Sequence, residues 1–438
     1  MKALVFERNL PRYGASRLAS VFGSGRGAGI GPLQLLDVDP PELPGEGWYR
    51  LRPVLSGICG SDLATLDGRS SRYFEDVVSF PFVPGHEVVG ILDDGGVDHT
   101  GASLPAGTRA VIEPVLGCAP RNIEPHCPAC ATGHTGLCGN LALGDLAPGL
   151  QTGFCADTGG GWSTAGLVAH AGQLYVVPDS FSDEDAVLIE PTACAVHAAL
   201  GASITPGDTV AVLGAGTLGL ATVAALHQVV RPTTPCTVLV GAKYPHQRKL
   251  AEALGADTVV PPEQLPRAVR RESGSLVLGG RLTGGADVVF DCVGSAESLT
   301  QSMAMVRPRG RVVLVGMPGK LHIDLAPLWH REIQLVGAYA YGVEQTRSAA
   351  ADRGGADRTG ADRSAADPSG AGQDAAGPTR RTFAAAMDVV DAAGLGSLVS
   401  ATYPLDRYEE AVAHAGAAGR RGAVKVAFDL RNRKGPSR

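Results

Sequence analysis

Four cysteines crowd one short stretch of this chain: Cys118, Cys127, Cys130 and Cys138. The last three stand as C-x2-C-x7-C in the run CPACATGHTGLC, residues 127–138. Sulfur donors this dense suit a tetrahedral zinc, because four thiolates close the coordination shell and leave no position for chemistry. A redox-active C-x-x-C is the alternative for Cys127 and Cys130, but that motif opens a helix after a strand. Here Pro128 follows the first cysteine, and Gly133 and Gly136 break any helix.

A second set lies apart from the first. Cys59 stands in GICGSD (57–62), His86 and Glu87 in PGHEVVG (84–90), and Glu190 in IEPTACAVHA (189–198). One thiolate, one imidazole and one carboxylate leave a fourth position for water or substrate, which suits a Lewis-acid zinc. Glu87 and Glu190 both qualify as the carboxylate, one bound directly and one through water or only in some states. Such a metal polarises an alcohol oxygen and lowers its pKa, so that hydride can leave the carbon. Ser61 stands two residues past Cys59, placed to pass the hydroxyl proton outward. Taken singly, each residue has a plain structural reading, as a lone buried Cys is usually a small core hydrophobe. Their joint occurrence carries the metal reading. Cys155, Cys194, Cys236 and Cys292 sit singly near apolar segments and read as packing residues.

A hydride needs an acceptor. Gly214, Gly216 and Gly219, with Ala215, Thr217 and Leu218 between them, form G-x-G-x-x-G. The motif follows an apolar strand at 209–214 and opens a helix at 217–227, the context that gives it meaning. Glycines allow the tight turn and close backbone approach, and a pyrophosphate rests at the helix N-terminus. An NAD site would place Asp or Glu at the end of the second strand. That stretch, GAKYPHQR (241–248), has none: Ala242 is followed by Lys243, His246 and Arg248. This favours NADP over NAD, with Lys243 and Arg248 as cofactor contacts.

The elements that must position these groups change in period along the chain. Residues 1–180 read as short strands and turns, for example at 2–7, 48–55, 87–92 and 108–115. The Gly-rich run FGSGRGAGIG, residues 22–31, reads as a flexible surface loop. From 181 to 340, apolar strands at 209–214, 237–241, 287–291 and 311–316 alternate with helices at 246–256 and 296–306. That pattern predicts a doubly wound parallel sheet. Residues 344–382 repeat G-A-D-R-like units without branched aliphatic or aromatic side chains, which predicts a disordered insert. A helix at 382–394 and a strand at 423–430 restore order up to about residue 430, ahead of a loose tail at 431–438.

Composition narrows the class. At 438 residues and 44% hydrophobic, the chain suits two domains with real cores. A formal net charge of −6 argues against nucleic acid as a partner. No apolar run predicts a membrane span, and the N-terminus lacks a signal-peptide pattern. Clustered cysteines fit metal binding in a reducing cytoplasm better than a disulfide framework.

These motifs resemble those of the medium-chain zinc-dependent alcohol and polyol dehydrogenases, close to the sorbitol, threonine and glucose dehydrogenase branch. The resemblance spans most of the first 340 residues. It implies an α/β chain: a GroES-like β-rich catalytic domain from both chain ends (1–180 and 383–430) plus an inserted Rossmann domain (181–340). It implies hydride transfer between an alcohol, polyol or sugar and NAD(P), and a homodimer or homotetramer. Cys59, His86 and Glu87 match the catalytic zinc ligands, Glu190 the carboxylate beside the metal, and Ser61 the proton relay. Cys118, Cys127, Cys130 and Cys138 match the structural-zinc lobe, at about 115–140.

Three departures stand out. Eight residues separate Cys118 from Cys127 where the family has two, which makes Cys118 the least secure ligand. Ala64 occupies a position where many relatives carry a relay histidine. The low-complexity insert falls where the chain re-enters the catalytic domain. Two other readings stay open: a zinc-free quinone or enoyl reductase, and a zinc-stabilised dinucleotide sensor. The substrate is not legible, with Arg69, Arg72, Tyr73 and Trp162 as candidate outer-pocket contacts.

Overall fold

A computed structural model describes residues 1–279, 281–345 and 379–431. Strand Thr209–Leu213, TVAVL, is buried at every position, as expected of a parallel strand covered on both faces. It lies inside a six-stranded parallel sheet. The order across that sheet is Thr258–Val260, Thr237–Gly241, Thr209–Leu213, Ala286–Asp291, Val306–Leu314 and Gln334–Gly337. Chain order reverses between Thr209–Leu213 and Ala286–Asp291. In a doubly wound sheet, that reversal opens a crevice at the carboxyl ends of the two strands. This is the Rossmann arrangement.

The second body is a seven-stranded, mostly antiparallel sheet. Trp48–Gly57 is its central strand, pairing with Val88–Leu92, Leu167–His170 and the C-terminal strand Lys425–Asp429. The register sets Ala427 opposite Gly57 and Phe428 opposite Ser56, so the far end of the chain returns to the segment that leads into Cys59. Helix Ile189–Gly201 joins the two bodies. It is apolar nearly all round and packs against Thr217–Ala225 on one side and Thr382–Ala393 on the other. One continuous core runs from Leu55 and Val89 through Val196 to Val212 and Phe290.

Several expectations need correction. The Gly-rich run is a series of packed turns. A Cβ on Gly25 would stand 2.4 Å from the Val412 carbonyl oxygen, and one on Gly27 would stand 2.4 Å from Ser16 Oγ. These glycines serve close approach rather than freedom. Helix Leu10–Ala19, unforeseen in a region read as strands and turns, packs over them through Ser16, whose hydroxyl donates to the Leu66 carbonyl. The ends of the low-complexity segment are ordered, because Val343–Gln345 pairs antiparallel with Thr379–Arg381. The rest of the expected disordered insert, 346–378, lies outside the described residues. Arg431, assigned to the tail, is anchored by Asp429 at 2.9 Å and by Asp183 and Glu184. Residues 432–438 also lie outside the described residues.

Candidate active site

Cys59 caps the helix Gly60–Leu66 at its N-terminus. Asp62, on that helix's first turn, accepts the Cys59 backbone N–H at 2.9 Å, which fixes the turn that presents the thiol. The other Asp62 oxygen lies 3.5 Å from His86 Nδ1. The two atoms make no hydrogen bond at this separation, so the buried carboxylate acts on the imidazole through its charge, and His86 Nδ1 has no hydrogen-bond partner among the described residues. Asp62 was missed in the sequence. An acid three residues past a helix-capping cysteine was the available signal.

Cys59, His86 and Glu87 bring their ligand atoms within 4.8 Å of one another. His86 and Glu87 are buried and Cys59 half-buried. Lys425 Nζ donates to both Glu87 oxygens at 2.6 Å. Glu190 stands outside this 4.8 Å cluster, on the first turn of Ile189–Gly201, and accepts the Tyr341 hydroxyl at 3.2 Å. Ser61 lies half-buried beside Cys59, with no hydrogen bond to its hydroxyl among the described residues.

The donor chemistry fits a dication. Among the described residues, three buried carboxylates (Asp62, Glu87, Glu190) and the Cys59 thiol share the Lys425 ammonium and the His86 imidazole as their basic neighbours. Burial, assisted by Glu87 and opposed by His86 and Lys425, pushes Glu190 up to about 7. Burial pulls His86 down, but Asp62 and Cys59 outweigh it and hold its pKa well above the ordinary value. Both groups favour the protonated form, which marks a site short of positive charge.

The four-cysteine set closes as well. Cys118, Cys127, Cys130 and Cys138 lie within 4.8 Å of one another, and none is disulfide-bonded. Sulfur separations are 3.7 Å for Cys118–Cys138 and 3.9 Å for Cys127–Cys138. A zinc–sulfur bond of about 2.3 Å implies tetrahedral edges of about 3.8 Å. Backbone N–H groups of Cys118, Cys127 and Asn140 point at Cys130, Cys118 and Cys138 sulfurs. Cys118, the least secure by spacing, is fully buried in the cluster. Arg121 returns its long loop, donating from its guanidinium to the carbonyls of Leu116, Leu143, Leu146, Ala147 and Gly149.

At the crevice, Gly214 turns with φ +97°, and a Cβ on Gly219 would lie 1.9 Å from the Gly214 oxygen. Gly216 caps the helix Thr217–Ala225 and faces open space. Asp291, also unforeseen, accepts from the N–H groups of Val293 and Gly294 and from Ser298 Oγ, which builds the opposite lip. Ala242 is buried and Lys243 exposed. Arg248 braces that turn by donating to the Ala242 and Lys243 carbonyls at 3.2 and 3.1 Å. Of the outer-pocket candidates, Trp162 is fully buried in the core, donating to the Gly57 carbonyl, so it is no pocket contact. Arg69 is paired with Asp67, Arg72 with Glu75, and Tyr73 is exposed.

Comparison with known proteins decides the family. Residues 45–179 match the "Alcohol dehydrogenase GroES-like domain" family and residues 203–353 match "Zinc-binding dehydrogenase". Sorbitol dehydrogenase of Arabidopsis thaliana is 31% identical over 317 residues, covering 70% of this chain and 79% of the relative. This chain belongs to the zinc-dependent medium-chain alcohol and polyol dehydrogenases. Another relative of this dehydrogenase is L-idonate 5-dehydrogenase of Vitis vinifera, 29% identical, with 70% and 78% of the two chains covered. Among solved structures, 2R,3R-butanediol dehydrogenase of Bacillus subtilis superimposes with a TM-score of 0.63 at 20% identity, covering 98% and 99%. A Sinorhizobium meliloti protein described as a zinc-binding dehydrogenase and bound to NADP gives 0.63 at 25% identity, covering 91% and 96%. The dehydrogenase is thus an oxidoreductase of CH–OH groups that works with zinc and NAD(P). Among the described residues no helix is long and apolar enough to cross a membrane.

Proposed function

We propose that this dehydrogenase oxidises a polyol, sugar or other secondary alcohol, with Cys59, His86 and Glu87 holding the catalytic zinc and Glu190 facing it. The observation that carries this is the convergence of the Cys59 thiol, the His86 imidazole and the Glu87 carboxylate within 4.8 Å, with His86 and Glu87 buried. A zinc there supplies Lewis acidity, which makes an alcohol proton easier to lose. Asp62 stands beside the His86 imidazole as its buried counter-charge, and Lys425 holds Glu87 while leaving each oxygen further lone-pair capacity. Ser61 takes the released proton outward from beside Cys59. Cys118, Cys127, Cys130 and Cys138 hold a second, structural zinc.

Gly214–Gly219 cradle the pyrophosphate. Ala242 and Lys243 in place of an acid favour NADP over NAD, with Arg248 shaping the turn from beneath. The division of the chain follows: 1–180 and 383–430 form the catalytic domain and 181–340 the dinucleotide domain. A homodimer or homotetramer fits the open edge strand Gln334–Gly337, exposed at every residue, Leu335 and Val336 included. Nine unpaired cysteines suit the cytoplasm.

The test is steady-state kinetics on a panel of polyols and secondary alcohols, with NADP and NAD, for wild type and Ala242→Asp. The expected result is a higher kcat/KM with NADP in wild type and a reversed preference in the variant. Wild-type preference for NAD would overturn the cofactor assignment.

A further inference from the structure

Glu190 is held from outside the cluster of Cys59, His86 and Glu87. Its partner, Tyr341, is almost wholly buried and donates its hydroxyl to Glu190 Oε1 at 3.2 Å. Tyr341 belongs to the short segment 338–343 that leads from strand Gln334–Gly337 into the ordered stem of the insert, of which Val343 is the first residue.

That segment is clamped by the four-cysteine lobe. A Cβ on Gly133 would stand 2.5 Å from Val343 Cγ2, and one on Gly136 would stand 3.0 Å from Ala340 Cβ. Both glycines lie between Cys130 and Cys138. Thr382 holds the segment's far end, with its hydroxyl donating to the Gly342 carbonyl at 2.8 Å and accepting the Gly342 N–H at 3.0 Å.

A second route joins the same two places. Thr135 of the lobe donates to Glu113 at 3.1 Å, and Glu113 accepts the Tyr175 hydroxyl at 2.9 Å. The Tyr175 ring lies 4.8 Å from Phe383, and Phe383 meets Tyr341 edge-on at 5.4 Å. Every ring on this route is buried, so none has free space to absorb a shift of its neighbour.

We propose that Tyr341 is a positioning residue for the catalytic metal site, fixing Glu190 through its hydroxyl, and that the cysteine lobe fixes Tyr341. This rests on the zinc assignment above. The lobe then does more than stabilise the fold, since its closure places one carboxylate of the reaction centre. Outer partners of metal sites change affinity by about 10–100-fold when removed.

The test uses full-length Tyr341→Phe, which removes one oxygen and keeps the ring, beside Gly136→Ala and wild type. Metal release to a chelator is followed on cobalt-substituted protein, whose absorption distinguishes the four-thiolate lobe from the mixed site. Cofactor binding is read separately by fluorescence. Expected for Tyr341→Phe is about tenfold faster release from the mixed site, with lobe spectrum and cofactor affinity unchanged. Gly136→Ala should also speed release from the mixed site. Unchanged release in Tyr341→Phe would overturn the positioning role, and unchanged release in Gly136→Ala would overturn the part played by the lobe. A wild type without a mixed-site spectrum would instead refute the zinc assignment itself.

Discussion

The Lys425 ammonium sits 2.6 Å from each oxygen of the Glu87 carboxylate, and both side chains are almost wholly buried. The pair ties the C-terminal strand to the segment that carries His86. Burial alone would lower the Lys425 pKa, but Glu87 and Cys59 outweigh it and raise it. Removing one partner of a buried pair strands the other. Lys425→Met is therefore expected to destabilise the fold by about 3–5 kcal/mol in urea unfolding. The double variant with Glu87→Gln should recover much of that loss. A single variant as stable as wild type would show the pair is not needed to hold Glu87.

The glycines of the dinucleotide turn separate into two kinds. Gly219→Ala places a methyl 1.9 Å from the Gly214 oxygen, so it should cost about 1–3 kcal/mol of stability and impair dinucleotide binding. Gly216→Ala meets nothing within 4 Å, so its stability should fall only by what a poorer helix N-cap costs, about 1 kcal/mol or less. Its methyl would instead crowd the pyrophosphate that this turn is proposed to cradle. Fluorescence titration with NADPH should show about tenfold weaker binding, or ~1.4 kcal/mol. Full affinity in Gly216→Ala would place the pyrophosphate elsewhere.

His170 gives the acid side of the stability profile. Its Nδ1 accepts the Gly172 N–H at 3.2 Å, and burial lowers its pKa below the usual 6.5. A histidine with a lowered folded pKa favours the unfolded state once that state protonates. The stability it contributes is present above pH 6.5 and is lost as pH falls toward its folded value. His170→Asn should show a smaller loss of urea-unfolding stability between neutral and mildly acid pH than wild type. An equal or larger loss would remove His170 from the account.

The sequence exposed the parallel sheet because its strands are apolar on both faces, and a run such as TVAVL has few other uses. It exposed the cysteines because their chemistry is local in the chain. It hid what depends on approach. The Gly-rich run at 22–31 has the composition of a flexible loop, and only the packed partners Ser16 and Val412 show why glycine is needed there. Helix Leu10–Ala19 carries Pro11, Gly14 and exposed Leu10 and Leu18, so no apolar stripe marked it. Lys425 was marked faintly, as a lone cation in the apolar strand run AVKVAF. Tyr341 reaches Glu190 across 151 residues of chain, and no local pattern carries such a contact.

Zinc at Cys59, His86 and Glu87 is to be counted per chain by elemental analysis, on wild type and Cys59→Ser in parallel. About two zinc ions are expected in wild type, one for each cysteine-containing set, falling to about one in the variant. About one zinc in both would mean that only the four-cysteine lobe is loaded, and would contradict a Lewis-acid site at Cys59, His86 and Glu87.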